Sequence, residues 1–470
     1  MLNRRELLAG SGVMAATLWS GITPASSARG PGLVAQRQSA SFFGSDEAAT
    51  DVWAYGSVPG PVLKVKQGER LRIPVTNNLP QPTTVHWHGL RIRNAMDGVP
   101  FLTQAPIGPG ETYTYDFHAR DAGTFWYHPH VNSAEQVGRG LSGALVVEEA
   151  EPIPVDRDLV WLLDDWRLRK DGSIAPFGGM HDAAHAGRLG NVATINGLAD
   201  ETFPVRSGER IRLRLVNAAN ARIFGLAFGN LNPWRVAVDG HPVVPTPVGP
   251  DLVVVPPGGR TDLIVDMTGK PGEKTEIRDL YYQRFAYTLA IPSYADETPV
   301  RKDRLGPPRP LAANPHHQPD IANAERHEMV FEGGAMGGLR EAKYKGQTLG
   351  LRELAGMGMV WAVNGRVIPP MEEGNVGDPM LTMKQGRTYV LTWRNESAFD
   401  HPIHLHGHSF SVIARNSKAL ETPMVMDTVL IRPKQSVAVA FVADNVGDWA
   451  LHCHVLEHAA AGMMGYVRVE

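Results

Sequence analysis

Apolar and polar residues alternate over three stretches of closely similar layout, residues 65–77, 205–217 and 383–395. In each, a glycine (Gly68, Gly208, Gly386) precedes an asparagine (Asn77, Asn217, Asn395) by nine positions, with a period-two run between them. Successive strand side chains leave opposite faces, so a turn followed by such a run predicts a half-buried β-strand. The starts lie 140 and 178 residues apart. That is too far for a solenoid repeat and predicts one domain written three times. A second element recurs as Pro109-Gly110-Glu111 before residues 112–117 and as Pro257-Gly258-Gly259-Arg260 before 261–266, with a degenerate copy beginning at Gln435. Strands at this spacing between Gly and Pro turns predict an all-β chain of three sandwich or barrel domains. The expected limits are 29–150, 151–300 and 301–470. The last opens on an extended connection, with seven prolines between Pro292 and Pro319. Residues 337–355 carry Leu, Glu, Lys and Arg at a density that predicts a short helical insertion.

Composition narrows the class. The 49 Gly and 36 Pro favour turn-rich β architecture, and 43% hydrophobic with 20% charged residues excludes extended disorder. A net charge of −3 gives no reason to expect nucleic acid as a partner. The single Cys excludes an internal disulfide framework, a four-thiolate iron–sulfur cluster and a Cys-rich zinc module. At the N-terminus, Arg4-Arg5, a Gly- and Ala-interrupted apolar stretch to about Trp19 and the small residues Ser26-Ser27-Ala28 resemble a twin-arginine export signal over 1–28. The alternative is the basic start of a general secretion signal. Either predicts a periplasmic or secreted protein. No later run of 18 apolar residues exists, so no membrane span is expected after signal removal.

Among 18 histidines, ten fall in four clusters: His86-Trp-His88, His128-Pro-His130, His401 with His404-Leu-His406, and His452-Cys453-His454 with His458. The paired motifs stand 42 residues apart in the first domain and 48 apart in the third, and the second domain lacks them. On a strand, residues i and i+2 share a face, so each His-x-His aims two imidazoles one way. Eight such imidazoles can converge where domains one and three meet. The same alternation turns Cys453 away from His452 and His454. His401, His458 and Cys453, with Met463 ten residues past the Cys, then describe a separate blue-copper site of two His, one Cys and a weak axial Met. Zinc would accept clustered imidazoles but needs neither an axial Met nor two linked sites. His118, His181, His185, His241, His316, His317, His327 and His408 read as ordinary surface or core residues, and His408 alternatively as a support for the cluster. Trp126 and Trp449 read as core aromatics beneath the His-x-His strands.

These motifs, HWHG, WYHPH, HPIHLHGH and HCHVLEHAAAGM in that order, resemble those of the multicopper oxidases, and the resemblance spans nearly the whole mature chain. It implies three consecutive cupredoxin-like Greek-key domains and four coppers per chain. Type 1 copper would lie at His401, Cys453 and His458 with axial Met463, and type 2 at His86 and His404. The type 3 pair would take His88, His128, His130, His406, His452 and His454. The implied reaction passes electrons from a reducing substrate through Cys453 to His452 and His454, and reduces dioxygen to water. Asp97 matches the family's acid near the type 2 copper; alternatively it is a simple Asp-Gly turn residue. Many bacterial members carry an acid directly after the last type 1 His, where this chain has Ala459. The proton path then runs elsewhere, through Glu457 or water.

The resemblance implies an exported monomeric oxidase acting on phenols or aromatic amines, Cu(I), or both. Met336, Met357, Met359, Met424 and Met426 fit a cuprous oxidase of copper tolerance, since thioethers bind Cu(I), or else fill packing gaps. Asp400 and Asp427 are candidates for contacting an organic donor. The rival readings are a non-catalytic copper-binding relative, which would lack ligands, and a copper nitrite reductase, which would lack the four His-x-His pairs.

Overall fold

The computed structural model describes residues 28–29, 32–43, 49–199, 201–301, 303, 305–368 and 370–470. The export-signal reading therefore falls on residues outside this description, apart from Ala28. Within it, strands form three successive two-sheet sandwiches. In each, the strand expected from the thrice-written pattern lies inside a sheet. Arg70–Asn77 pairs parallel with Leu33–Ala40 and antiparallel with Thr112–His118. Arg210–Asn217 lies likewise between Arg157–Trp166 and Arg260–Asp266, and Thr388–Asn395 between Glu325–Gly333 and Ser436–Val442.

The invariant asparagine has the same task three times. Asn77 donates through Nδ2 to the carbonyls of Gln81 and Ile107 and accepts from the amide of Leu79. Asn217 does this with Arg222, Val255 and Ala219, and Asn395 with Phe399, Ile431 and Ser397. All three are fully buried, so each satisfies backbone groups that would otherwise be orphaned where the chain leaves one sheet for the other. The preceding Gly68, Gly208 and Gly386 have φ of 84°, 78° and 78°, a conformation glycine adopts without strain.

The middle strand departs from simple alternation. Arg210, Arg212 and Arg214 occupy its polar positions, yet every residue of Arg210–Asn217 is buried. Arg212 pairs with Glu149 and Asp262, and Arg214 with Asp158 and Thr124, so this polar face is the seam between the first and second domains. The helical insertion expected over 337–355 is mostly a hairpin, Glu341–Tyr344 with Gln347–Gly350; helix forms only over Leu351–Gly356. Gly346, at φ 82°, makes the turn that sends the chain back on itself. Among the described residues, no helix is long and apolar enough to cross a membrane.

Candidate metal centre

Four short segments bring the paired histidines together. In the first domain His86–His88 pairs with Gly123–His128, setting His86 opposite His128. In the third, His401–Leu405 pairs with Gly447–Cys453, setting His404 opposite His452. The two halves meet face to face. The His86 ring stacks on His406 at 3.8 Å and His88 on His404 at 3.7 Å, while His130 lies 5.1 Å from His452 and His128 5.3 Å from His454. Donor atoms fall within 4.8 Å of one another in the sets His86/His88/His128, His86/His404/His406 and His130/His406/His452.

Hydrogen bonds on the far side of these rings fix which nitrogen faces inward. Nδ1 of His86 donates to the carbonyl of Asp97, that of His404 to Asp427, that of His128 to Pro129 and that of His452 to Cys453, at 2.8–3.1 Å. A carbonyl only accepts, so each Nδ1 carries the proton and each Nε2 presents a lone pair. Nε2 of His86, His128 and His404, Nδ1 of His88, and both ring nitrogens of His130 and His454 are buried without partners among the described residues. Leaving so many polar atoms unpaired is costly unless a bound ion satisfies them. Burial, and secondly the neighbouring imidazoles, push His128, His130, His406 and His454 well below the ordinary histidine range, which keeps them neutral as ligands must be.

Cys453 lies on the opposite face of its strand, in the hydrophobic core of the third domain. Its Sγ is 3.4 Å from Nδ1 of His401 and 3.7 Å from Nδ1 of His458, which are 3.2 Å apart. Here the Nε2 atoms are tethered. His458 donates to the carbonyl of His185 at 2.6 Å. His401 donates to Ser397 Oγ at 2.8 Å, whose own proton is given to Asn395 Oδ1. Both Nδ1 lone pairs therefore face the sulfur. Met463 is buried in the same core, and its backbone bonds both to Cys453 and to His458.

Around the imidazoles stand charges whose partners are far apart in sequence. Asp97 Oδ2 accepts from Nδ1 of His406 at 2.9 Å, while Oδ1 is buried without a hydrogen bond, 3.3 Å from Nδ1 of His86. Asp427 corrects an expectation: it is fully buried, sits 3.2 Å from His88 Nε2 and is gripped by Arg260, so no organic donor reaches it. Asp239 accepts from the amides of Arg260 and Thr428 and completes the frame. Arg260 and Asp239 come from the second domain; Arg260 was marked only as part of a repeated turn, and Asp239 by no motif. Asp400 is half-buried and accepts from the Tyr281 hydroxyl at 2.9 Å.

Two other expectations resolve. Trp449 lies in the core beneath its histidines, but Trp126 shares the face of His128 and stacks on it at 4.2 Å. Gly123 and Gly447 begin matching strands, so Trp126 corresponds to Ala450 and Phe125 to Trp449; the tryptophans stand one position out of phase. Glu457 is buried with its carboxylate committed to Asn220 and the amide of Arg188. Ala459 lines a cavity of about 440 Å³ that reaches His130 and His452. Of the five methionines, Met336 and Met357 are exposed, Met359 is buried and Met424 and Met426 lie half-buried on the strand Lys418–Met426.

Sequence models described as multicopper oxidase match residues 36–152, 157–274 and 355–470. The chain is 31% identical over 444 residues to multicopper oxidase MmcO of Mycobacterium tuberculosis, covering 87% of this chain and 81% of that protein. A multi-copper oxidase crystal structure from Pseudomonas thermotolerans is similar with a TM-score of 0.81 and 33% identity, covering 95% of this chain and all of the other. Another, from Campylobacter jejuni and described as a metallo-oxidase, has a TM-score of 0.74 and 25% identity, covering 93% and 90%.

Proposed function

The chain belongs to the multicopper oxidases, and from that membership we propose that its ten clustered histidines, Cys453 and Met463 hold four coppers and couple oxidation of a reducing substrate to reduction of dioxygen to water. It is an oxidoreductase of three cupredoxin-like domains, and its family uses copper, dioxygen and a reducing substrate. The observation that carries the finer reading is the set of buried, neutral imidazole nitrogens without partners beside a Cys–His–His triad. We assign His401, Cys453, His458 and Met463 to type 1 copper, His86 and His404 to type 2, and His88, His128, His130, His406, His452 and His454 to the type 3 pair. The assignment takes 29–150, 151–300 and 301–470 as the domains, the second contributing no ligand.

Copper, when bound, supplies one-electron acceptance at the triad and four-electron dioxygen chemistry among the eight imidazoles. The protein's own part is geometric. Carbonyl tethers hold the imidazoles in the ligating tautomer before any ion arrives, which limits reorganisation. Cys453 shares a backbone with His452 and His454, so the shortest covalent path between the two centres is one residue long in either direction. Asp97 bridges the amino-terminal and carboxy-terminal halves through His86 and His406, and its unpartnered oxygen is placed to hold a proton near them. Donors on this reading are phenols or aromatic amines, Cu(I), or both, and the protein acts as a monomer outside the cytoplasm after twin-arginine export.

The test is copper content and oxygen uptake of the purified chain. Four coppers, a blue colour and uptake with at least one donor are expected. Cys453→Ser should abolish the colour and the uptake while leaving the circular dichroism unchanged. Uptake that survives the substitution would overturn the electron path.

A further inference from the structure

Electron donors must reach the type 1 triad from outside, yet His458 is fully buried and its outward Nε2 is covered by a segment of the second domain. Three consecutive carbonyls strap that segment down: Ala183 accepts from Trp361 Nε1 at 2.7 Å, Ala184 from the Ala335 amide at 2.6 Å and His185 from His458 at 2.6 Å. The strap is the short helix Met180–Ala184 and the residue after it. It turns the His181 imidazole outward and leaves that of His185 half-buried against Phe399. His181 on the helix and His185, the residue that caps it, are four positions apart and lie side by side. Their rings are parallel within 9° at 4.1 Å, and the His181 side chain is 81% exposed. His185 donates from Nδ1 to the carbonyl of His181 at 3.0 Å, which leaves its Nε2 with a free lone pair.

Two exposed methionines belong to the strap and to the segment it bonds. Met180 opens the same helix with 44% exposure. Met336, next to the strapped Ala335, is 80% exposed at φ 61°, a costly backbone for a side chain turned to solvent. The one carboxylate on the helix, Asp182, is buried and taken by Arg167 at 2.7 Å. A pair of imidazoles with no free oxygen ligand on the helix favours a copper ion over magnesium, calcium or manganese.

We propose that His181 and His185 form a docking site for Cu(I) as electron donor, and that its electron reaches His458 through the carbonyl of His185. This rests on the oxidase reading above and chooses among its donors. The balance is simple: the docked ion gives one electron and leaves as Cu(II), the type 1 centre gains that electron, and no proton moves. Four such events match one dioxygen taken to two waters. The path from imidazole to imidazole is the side chain and carbonyl of one residue and one hydrogen bond. Only the carbonyl of His185 is needed for the strap, so the two stacked rings can turn about their own side-chain bonds until Nε2 of His185 and a ring nitrogen of His181 meet at one ion.

The test uses the copper-loaded full chain and Ag(I), a closed-shell ion that matches Cu(I) in softness but donates no electron. One Ag(I) beyond the resident copper should bind, and the double variant His181→Ala/His185→Ala should weaken it at least tenfold. Anaerobic bleaching of the blue band by Cu(I) should saturate in the parent and need at least tenfold more Cu(I) in the variant. Silver bound equally by both proteins, no additional silver in the parent, or unchanged Cu(I) half-saturation would overturn the site. Failure of the oxidase reading shows separately, as a parent protein with no blue band or no oxygen uptake with any donor. The silver titration reads the histidine pair in either case.

Discussion

The guanidinium of Arg260, from the second domain, closes on the carboxylate of Asp427, from the third, through two bonds of 2.7 and 2.5 Å, with both side chains wholly buried. Asp427 in turn lies beside His88, from the first domain, so one ion pair ties all three domains to the imidazole cluster. Burial alone would raise the Asp427 pKa; Arg260, joined by hydrogen bonds from His404 and His88, outweighs it and holds the carboxyl well below the usual range. Removing one partner strands a buried charge, which costs about 3–5 kcal/mol. Arg260→Met should therefore lower unfolding free energy by roughly that amount in urea titrations. Copper retention against a chelator should fall by about 10–100-fold, as for other groups that orient metal ligands.

That pair also marks what could be read in the chain and what could not. The His-x-His spacing and period-two alternation are local, so the shared faces of His86/His88 and His452/His454, and the separation of Cys453, followed directly. Arg260, Asp239 and Asp427 act only once three domains are docked, and no local spacing encodes that contact. The buried arginines of 210–217 were hidden for the same reason: their alternation is that of a solvent-facing strand, and only Glu149 and Thr124 of the first domain reveal a seam. Residues 337–355 misled through composition, since helix propensity per residue is weak beside the turn at Gly346.

Asn217 provides a test of the repeated framework away from copper. It makes three buried hydrogen bonds of 2.8, 2.8 and 3.0 Å in the domain without proposed ligands. Asn217→Ala orphans two carbonyls and an amide, at a cost of roughly 2–4 kcal/mol given about 1–3 kcal/mol for each unsatisfied group and partial relaxation. Chemical denaturation should record that loss, with copper content unchanged in the folded fraction.

Asp97→Asn keeps an acceptor for Nδ1 of His406 but removes the charge and the capacity to hold a proton. Turnover should fall about 10–100-fold, the usual cost at such positions, while the blue band persists because the triad at Cys453 is untouched. Loss of the blue band together with turnover would assign Asp97 to structure alone.

Asp164 is buried beside Asp165 and has no cation of its own among the described residues; Arg222 is taken by Asp165 at 2.8 Å. Burial first, and the neighbouring carboxylate second, raise its pKa well above the ordinary value. A raised folded pKa contributes stability that is fully present below the unfolded value of about 3.9 and is lost as pH rises through the folded one. Asp164→Asn does not titrate. It should match the parent near pH 4 and exceed it at pH 7, by on the order of 1 kcal/mol, the worth of about one pKa unit. Urea titrations at the two values check the sign, and equal gaps at both would refute it.

Ala459 stands on the short helix Leu456–Ala460 and lines the cavity that reaches His130 and His452. No carboxylate is among the described residues lining that cavity, and Glu457, two positions earlier, is turned to Asn220 and Arg188. Protons bound for dioxygen on this side must then come through water or from Asp97, across the cluster. Ala459→Glu adds a carboxyl to a space of about 440 Å³, room enough for the larger side chain without repacking. If proton delivery limits the reaction, oxygen uptake should rise several-fold, short of the ~100-fold a fully positioned acid contributes. The gain should be largest above pH 6, where free protons are scarce and a carboxyl raised by an apolar wall still carries one. Donor-driven bleaching of the blue band under anaerobic conditions should not change, because the substitution lies beyond the step that fills the triad. Unchanged uptake together with unchanged bleaching would place the bottleneck at electron donation instead.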